Sequence, residues 1–158
     1  MKIENHSWLS LALIAILAVA GCSSTTAVQD SIPLAERKPV SYAISYQTAV
    51  EDEWKQMFEV KLDDELDRVG LLAPDDAMGA NQVSINFFVF RLRDNASREF
   101  GGLMAGTDEV KSEIVVHNSE GVEIGRSVVT TANASGWVTS SGFLEHHARD
   151  VAAFLGGG

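Results

Sequence analysis

Between Glu51 and Gly70, the apolar residues Trp54, Phe58, Leu62, Leu66 and Val69 recur every three or four positions. Only an α-helix brings that spacing onto one face. The chain must therefore supply a second surface wide enough to cover the stripe. The helix carries its own boundary signals. Thr48 and Glu51 have the spacing of a capping box, and Glu51, Asp52 and Glu53 fall in the first turn, where the helix dipole favours negative charge. Gly70, with Pro74 soon after, predicts its end.

The covering surface is expected to be a sheet. "VSYAIS", from Val40, alternates apolar with small residues and reads as a half-buried strand. "QVSINFFVFRLR", Gln82 to Arg93, puts Val83, Ile85, Phe87 and Val89 on one face and Phe88, Phe90 and Leu92 on the other, as a strand covered on both sides would. "EVKSEIVVHN" sets Val110, Ile114 and Val116 against Lys111, Glu113 and His117. After the turn Asn118–Gly121, Val122, Ile124 and Val128 align on a returning strand, which predicts a hairpin. A second helix follows over 140–155, with Leu144, Ala148, Val151 and Leu155 inward and Glu145, His146, Arg149 and Asp150 on the wet side. The chain order strand–helix–three strands–helix predicts an α+β domain over residues 39–158. It is expected to hold a mostly antiparallel four-stranded sheet with two helices packed on one face. The first and second strands are free to pair in parallel through the crossover helix.

Ahead of this domain, Trp8 to Ala20 is an apolar run of 13 residues, "WLSLALIAILAVA", ending at Gly21-Cys22. The run has the length of a signal-peptide core and is short of the ~20 residues that span a bilayer. Cys22 is the only cysteine, so no disulfide can form within the chain and the domain depends on its core. Residues 1–21 are expected to be a cleaved signal peptide. Residues 22–38, polar and without an apolar period, are expected to be a flexible tether with an end-to-end distance of roughly 20–24 Å.

Val19-Ala20-Gly21-Cys22 resembles the bacterial lipoprotein box: an aliphatic residue, two small residues and a cysteine after a hydrophobic core. The resemblance implies cleavage before Cys22, a diacylglyceryl group on its sulfur and acylation of its new amino group. Several acyl chains hold a protein on a membrane where one would not. Ser23, standing where an aspartate marks inner-membrane retention in enteric lipoproteins, implies the outer membrane, with the domain facing the periplasm. The stretch "SREFGGLMAGTDEVKSEIVVHNSEGVEIGRSVV" resembles bacterial lipoproteins with a domain of unknown function, the 4410 type. There Arg98 and Phe100 precede the glycines 101, 102 and 106, and two strands joined by a polar turn follow. The topology is also similar to that of the lipopolysaccharide-assembly lipoprotein. These resemblances imply an accessory role in the envelope and name no ligand.

The net charge of −10 weighs against nucleic acid and against anionic headgroups as partners. Gly101 to Thr107, "GGLMAGT", has a Walker-like spacing but lacks the lysine and the following helix that a phosphate cradle needs. It reads as a structural turn, with exposure of Leu103 and Met104 to a membrane or partner as the alternative. His146 and His147 are adjacent, point about 100° apart on a helix and cannot chelate as an i, i+4 pair. Both are expected to be solvated. There is no G-x-S-x-G elbow, and "DDAMGAN" lacks calcium-loop spacing. Trp137 reads as a core plug or an interaction anchor. The sequence therefore predicts lipidation at Cys22 and no catalytic, cofactor or metal residues. The partners expected are the membrane, through the Cys22 lipid, and another envelope component. The alternative is an enzyme or small-ligand binder with a site assembled from separated residues such as His117, Arg126 and Asp150.

Overall fold

A computed structural model describes residues 23–74, 77–93, 107–133 and 138–157. Its elements, in chain order, are β1 (Ser23–Asp30), a 3-10 turn (Leu34–Glu36), β2 (Val40–Tyr46), α1 (Asp52–Arg68), β3 (Asn81–Arg91), β4 (Asp108–His117), β5 (Glu123–Asn133) and α2 (Ser140–Gly156). The fold is α+β, as expected, but the sheet has five strands, in the order β1-β5-β4-β3-β2. It is mixed: β2 pairs with β3 in parallel through the α1 crossover, and every other pair is antiparallel.

The fifth strand comes from the segment expected to be a tether. Ser23 to Val28 pairs along β5 from Ala132 to Ser127, and Ile32, just beyond, is buried in the core. The correction has a physical reason. An edge strand is held by its backbone ladder, so "SSTTAV" can join the sheet without the apolar alternation that marks a half-buried strand. The sheet therefore already includes Ser23–Asp30, ahead of the expected domain start at residue 39.

Both helices lie on one face of the sheet, as predicted. Phe58, Leu62 and Leu66 of α1 and Leu144, Ala148, Val151 and Leu155 of α2 meet Val83, Ile85, Phe87, Val110, Ile114 and Val129 in one core. α1 begins later than the capping box implies: Glu51 is its N-cap and makes no side-chain cap bond. Its end follows the expectation. Gly70 adopts φ 69°, its amide donates to the Asp67 carbonyl, and the Leu71 amide donates to the Leu66 carbonyl. These two bonds form a Schellman motif, which needs a left-handed residue at that position. The hairpin turn is also as predicted. The Asn118 side chain accepts from the amides of Glu120 and Val122, and Gly121 takes φ 79°.

Two strands present other faces than the alternation implies. In β3 the pairing shifts between Phe87, opposite Ser112, and Val89, opposite Lys111. Phe88 is the extra residue of a β-bulge, and beyond it the faces exchange. Phe90 then joins the covered face, edge-on to Phe87 with centroids 5.5 Å apart, while Val89 turns to the open face. In β5 the buried set is Gly125, Ser127, Val129, Thr131 and Asn133, not Ile124 and Val128. Of its polar members, Ser127 donates to the Ala27 carbonyl of β1 and Thr131 meets His147 of α2.

Gly125 sits where β5 passes the turn after β1. A Cβ there would stand 2.6 Å from Ile32 Cγ1. Gly125→Ala is expected to cost about 1–3 kcal/mol by overpacking, and in an Ile32→Ala background, which lacks Cγ1, the same change should cost far less. Urea unfolding of the single and double variants checks this; equal stabilities of Gly125→Ala and the native chain would remove the steric account.

Candidate functional site

The end of the sheet at which β1 begins also holds the start of β4 and the end of β5: Ser23 lies opposite Ala132, and Asp108 opposite Asn133. Cys22 and the 1–21 segment lie outside the described residues, as do Arg98, Phe100, the glycines 101, 102 and 106 with Leu103 and Met104, and Trp137. At this end of the sheet the structure places a buried ion pair. The Arg93 amide donates to Asp108 Oδ1 at 2.7 Å, and its guanidinium donates to Asp108 Oδ2 at 3.0 Å and to the Asn133 carbonyl at 3.3 Å. Asp108 is fully buried. One arginine thus ties β3, β4 and β5 together where the chain enters the sheet.

His147 departs from the solvated position expected of it. It is fully buried beneath α2, with Nε2 2.9 Å from Ser112 Oγ and Nδ1 2.8 Å from Thr131 Oγ1. The Phe58 and Phe87 rings lie against it. Burial pushes its pKa down to about 3, since a charged imidazolium loses its hydration there. Ser112 and Thr131 are polar members of the covered faces of β4 and β5 because they satisfy this ring.

The residues of the alternative site are not brought together. His117 and Arg126 lie on strands β4 and β5, on the open face, whereas Asp150 is on α2, which packs on the covered one. Arg126 is committed to carboxylates, donating to Glu113 at 2.6 Å and to Glu123 at 2.8 and 2.9 Å. Hydrogen bonds donated to Glu123 and Glu113 raise its pKa, and the bond accepted from Arg126 lowers that of Glu123. Glu109, bonded first by Lys111 and then by Arg91, is likewise held below the usual carboxylate range. Among the described residues no group of three His, Cys, Asp or Glu side chains converges as metal ligands. No described helix is long and apolar enough to cross a membrane.

Two features lay beyond the sequence reading. The first is the groove between β2 and α1, about 250 Å³, which includes Tyr42, Asp63 and Leu72. Here Tyr42 Oη donates to Asp63 Oδ1 at 2.5 Å, and desolvation with this carboxylate raises the Tyr42 pKa. Neighbouring Tyr46 stacks on Phe87 at 5.0 Å and is pushed up to about 12, chiefly by burial. The second is the free edge of β2. The Val40 amide donates to the Leu71 carbonyl, and the Val40 carbonyl accepts from the Ala73 amide, so this residue's backbone faces away from β3. The Gln47 amide donates to the Phe87 carbonyl, facing inward. Strand alternation then directs the backbone groups of Tyr42, Ile44 and Tyr46 outward. Among the described residues, no strand pairs with them. The signal for this edge is the absence of charge and proline from Val40–Tyr46, which gains meaning only once the strand order is known.

No family model and no curated protein matches the chain. Among solved structures, the domain is similar to the PelC dodecamer from Paraburkholderia phytofirmans, with 14% identity over 85% of this chain and 97% of that one and a TM-score of 0.59. A single-residue variant of that dodecamer, in another space group, gives a TM-score of 0.58 at the same identity and coverage. At that identity the likeness is one of fold: a small α+β domain with a mixed five-stranded sheet under two helices.

Proposed function

We propose that this chain is a lipid-anchored protein of the bacterial outer membrane, held through Cys22, whose domain works as a non-enzymatic module by assembling with copies of itself and with other envelope components. The observation that carries the reading is the join between anchor and fold. The lipoprotein box ends at Cys22, and β1 begins at the next residue. A cysteine acylated there would seat one end of the sheet at the membrane surface, with no tether between them. Two or more acyl chains make such an attachment stable. Self-assembly draws its support from the PelC dodecamer, whose fold this domain shares.

The test begins with the anchor. Metabolic labelling with a fatty-acid analogue should mark the native chain and place it in the outer-membrane fraction, and Cys22→Ser should lose both label and membrane association. A Cys22→Ser chain that still labels would sink the lipoprotein reading. Light scattering of the detergent-solubilised native chain should report a mass of several subunits; a monomer would sink the self-assembly reading.

A further inference from the structure

We infer that the assembly interface is a pair of strand edges, in which β1 of one copy adds antiparallel to β2 of the next and so continues the sheet from copy to copy. The inference rests on the lipid-anchored, self-assembling reading above and names the surface it uses.

Among the described residues, no strand pairs with the outer side of β1 or, beyond Val40, of β2. Natural sheets blunt their edges with lysine, proline, inward charges or very short strands, because a bare row of amides and carbonyls recruits another chain. β2 runs seven residues, "VSYAISY", with no charge and no proline. β1 has neither before its irregularity between Val28 and Asp30. The free stretches differ by one residue in length: Ser23 to Val28 on one edge and Tyr42 to Tyr46 on the other. Thr25, Ala27, Ala43 and Ser45 are exposed, and all four lie on the open face of the sheet. A continued ladder would therefore keep small side chains on its open face across the junction.

Strand direction selects the partner. β1 runs away from the end of the sheet that holds Ser23; β5, β3 and β2 run toward it. A second copy in the same orientation presents its β1 antiparallel to β2, as a ladder requires. Antiparallel pairing of two β2 strands, or of two β1 strands, would instead invert one copy and send the two Cys22 anchors to opposite ends. A single membrane accepts only the head-to-tail arrangement. Such a contact is heterologous and repeats from copy to copy, and it closes into a ring when the rotation per copy divides the circle. Every anchor then lies on one rim.

The test uses the full, membrane-anchored chain. Thr25→Cys or Ala27→Cys is combined with Ala43→Cys or Ser45→Cys, so that the four double variants span the neighbouring registers. Mild oxidation should convert at least one of them into a ladder of disulfide-linked species extending beyond the dimer, while each single variant stays monomeric on a non-reducing gel. Ala43→Lys with Ser45→Lys should reduce the solubilised assembly to monomers with an unchanged circular-dichroism spectrum. Dimers from Ala43→Cys or Ser45→Cys alone would overturn the proposal in favour of an isologous contact. A multi-subunit mass without a ladder in any double variant would overturn the interface and leave self-assembly standing. A monomeric native chain would overturn both.

Discussion

Phe58→Ala is expected to lower the stability of the domain by about 3–5 kcal/mol. Phe58 is fully buried at the centre of α1. Its ring meets Phe87 of β3 edge-on, with centroids 4.9 Å apart, and approaches His147 of α2 at 5.9 Å. Three elements therefore converge on one side chain. The cavity left by alanine could close only if α1, α2 and the sheet all shifted, and packed interiors do not deform so readily. Most of the cavity term should persist in addition to the lost transfer energy. Phe58→Leu, which leaves a smaller void, should cost less than half as much. Equilibrium urea unfolding at neutral pH measures both. A change below about 1 kcal/mol for alanine would mean that the Trp54–Phe58–Leu62–Leu66 stripe does not hold the two layers together.

That stripe was legible because helical periodicity is local. The same holds for the Gly70 terminus, the Asn118–Gly121 turn and the alternation of β4, each set by a few neighbouring residues. What sequence reasoning missed depends on the rest of the chain. β1 has no apolar period because its place is secured by the β5 backbone. The bulge at Phe88 exchanges the faces of β3 without any glycine or proline to announce it. The covered face of β5 is Gly125, Ser127, Val129, Thr131 and Asn133, which alternation alone assigns to solvent. Thr131 faces inward because His147 is there to receive it, and His147 faces inward because Thr131 and Ser112 satisfy its nitrogens. Neither half of that arrangement is visible without the other. Of the candidate site, the resemblance of Val19–Cys22 to a lipoprotein box is readable from the sequence, whereas an edge strand is recognisable as such only from the strand order.

Acidification should expose His147 as the pH-sensitive point of the core. Its pKa is about 3 in the folded domain, against an ordinary 6.5. Between those values the unfolded chain takes up a proton that the folded one refuses. The stabilising contribution is therefore complete above pH 6.5 and is lost as the pH falls, at about 1.4 kcal/mol per pH unit. From pH 6.5, where the unfolded imidazole is already half protonated, to pH 4.5 the loss should be about 2 kcal/mol. The paired carboxylates Glu109 and Glu123, whose pKa values are also lowered, push in the same direction. Their contribution begins near the ordinary glutamate value of 4.5 and is weakened by solvent, so the window above it belongs chiefly to the histidine. Hydrogen bonding does not explain the cost. A neutral ring offers one donor and one acceptor, and hydroxyls at Ser112 and Thr131 serve either role. The same hydroxyls could also accept from both nitrogens of the charged ring, so the penalty lies in placing a cation among Phe58, Phe87 and the core without water. His147→Gln removes the titration and keeps an amide able to bond a hydroxyl. It should be less stable than the native chain at pH 7, yet its denaturation midpoint should change little between pH 6.5 and 4.5. Parallel slopes for the two proteins across that window would show that the acid sensitivity arises elsewhere and that His147 carries no unpaid charge on protonation.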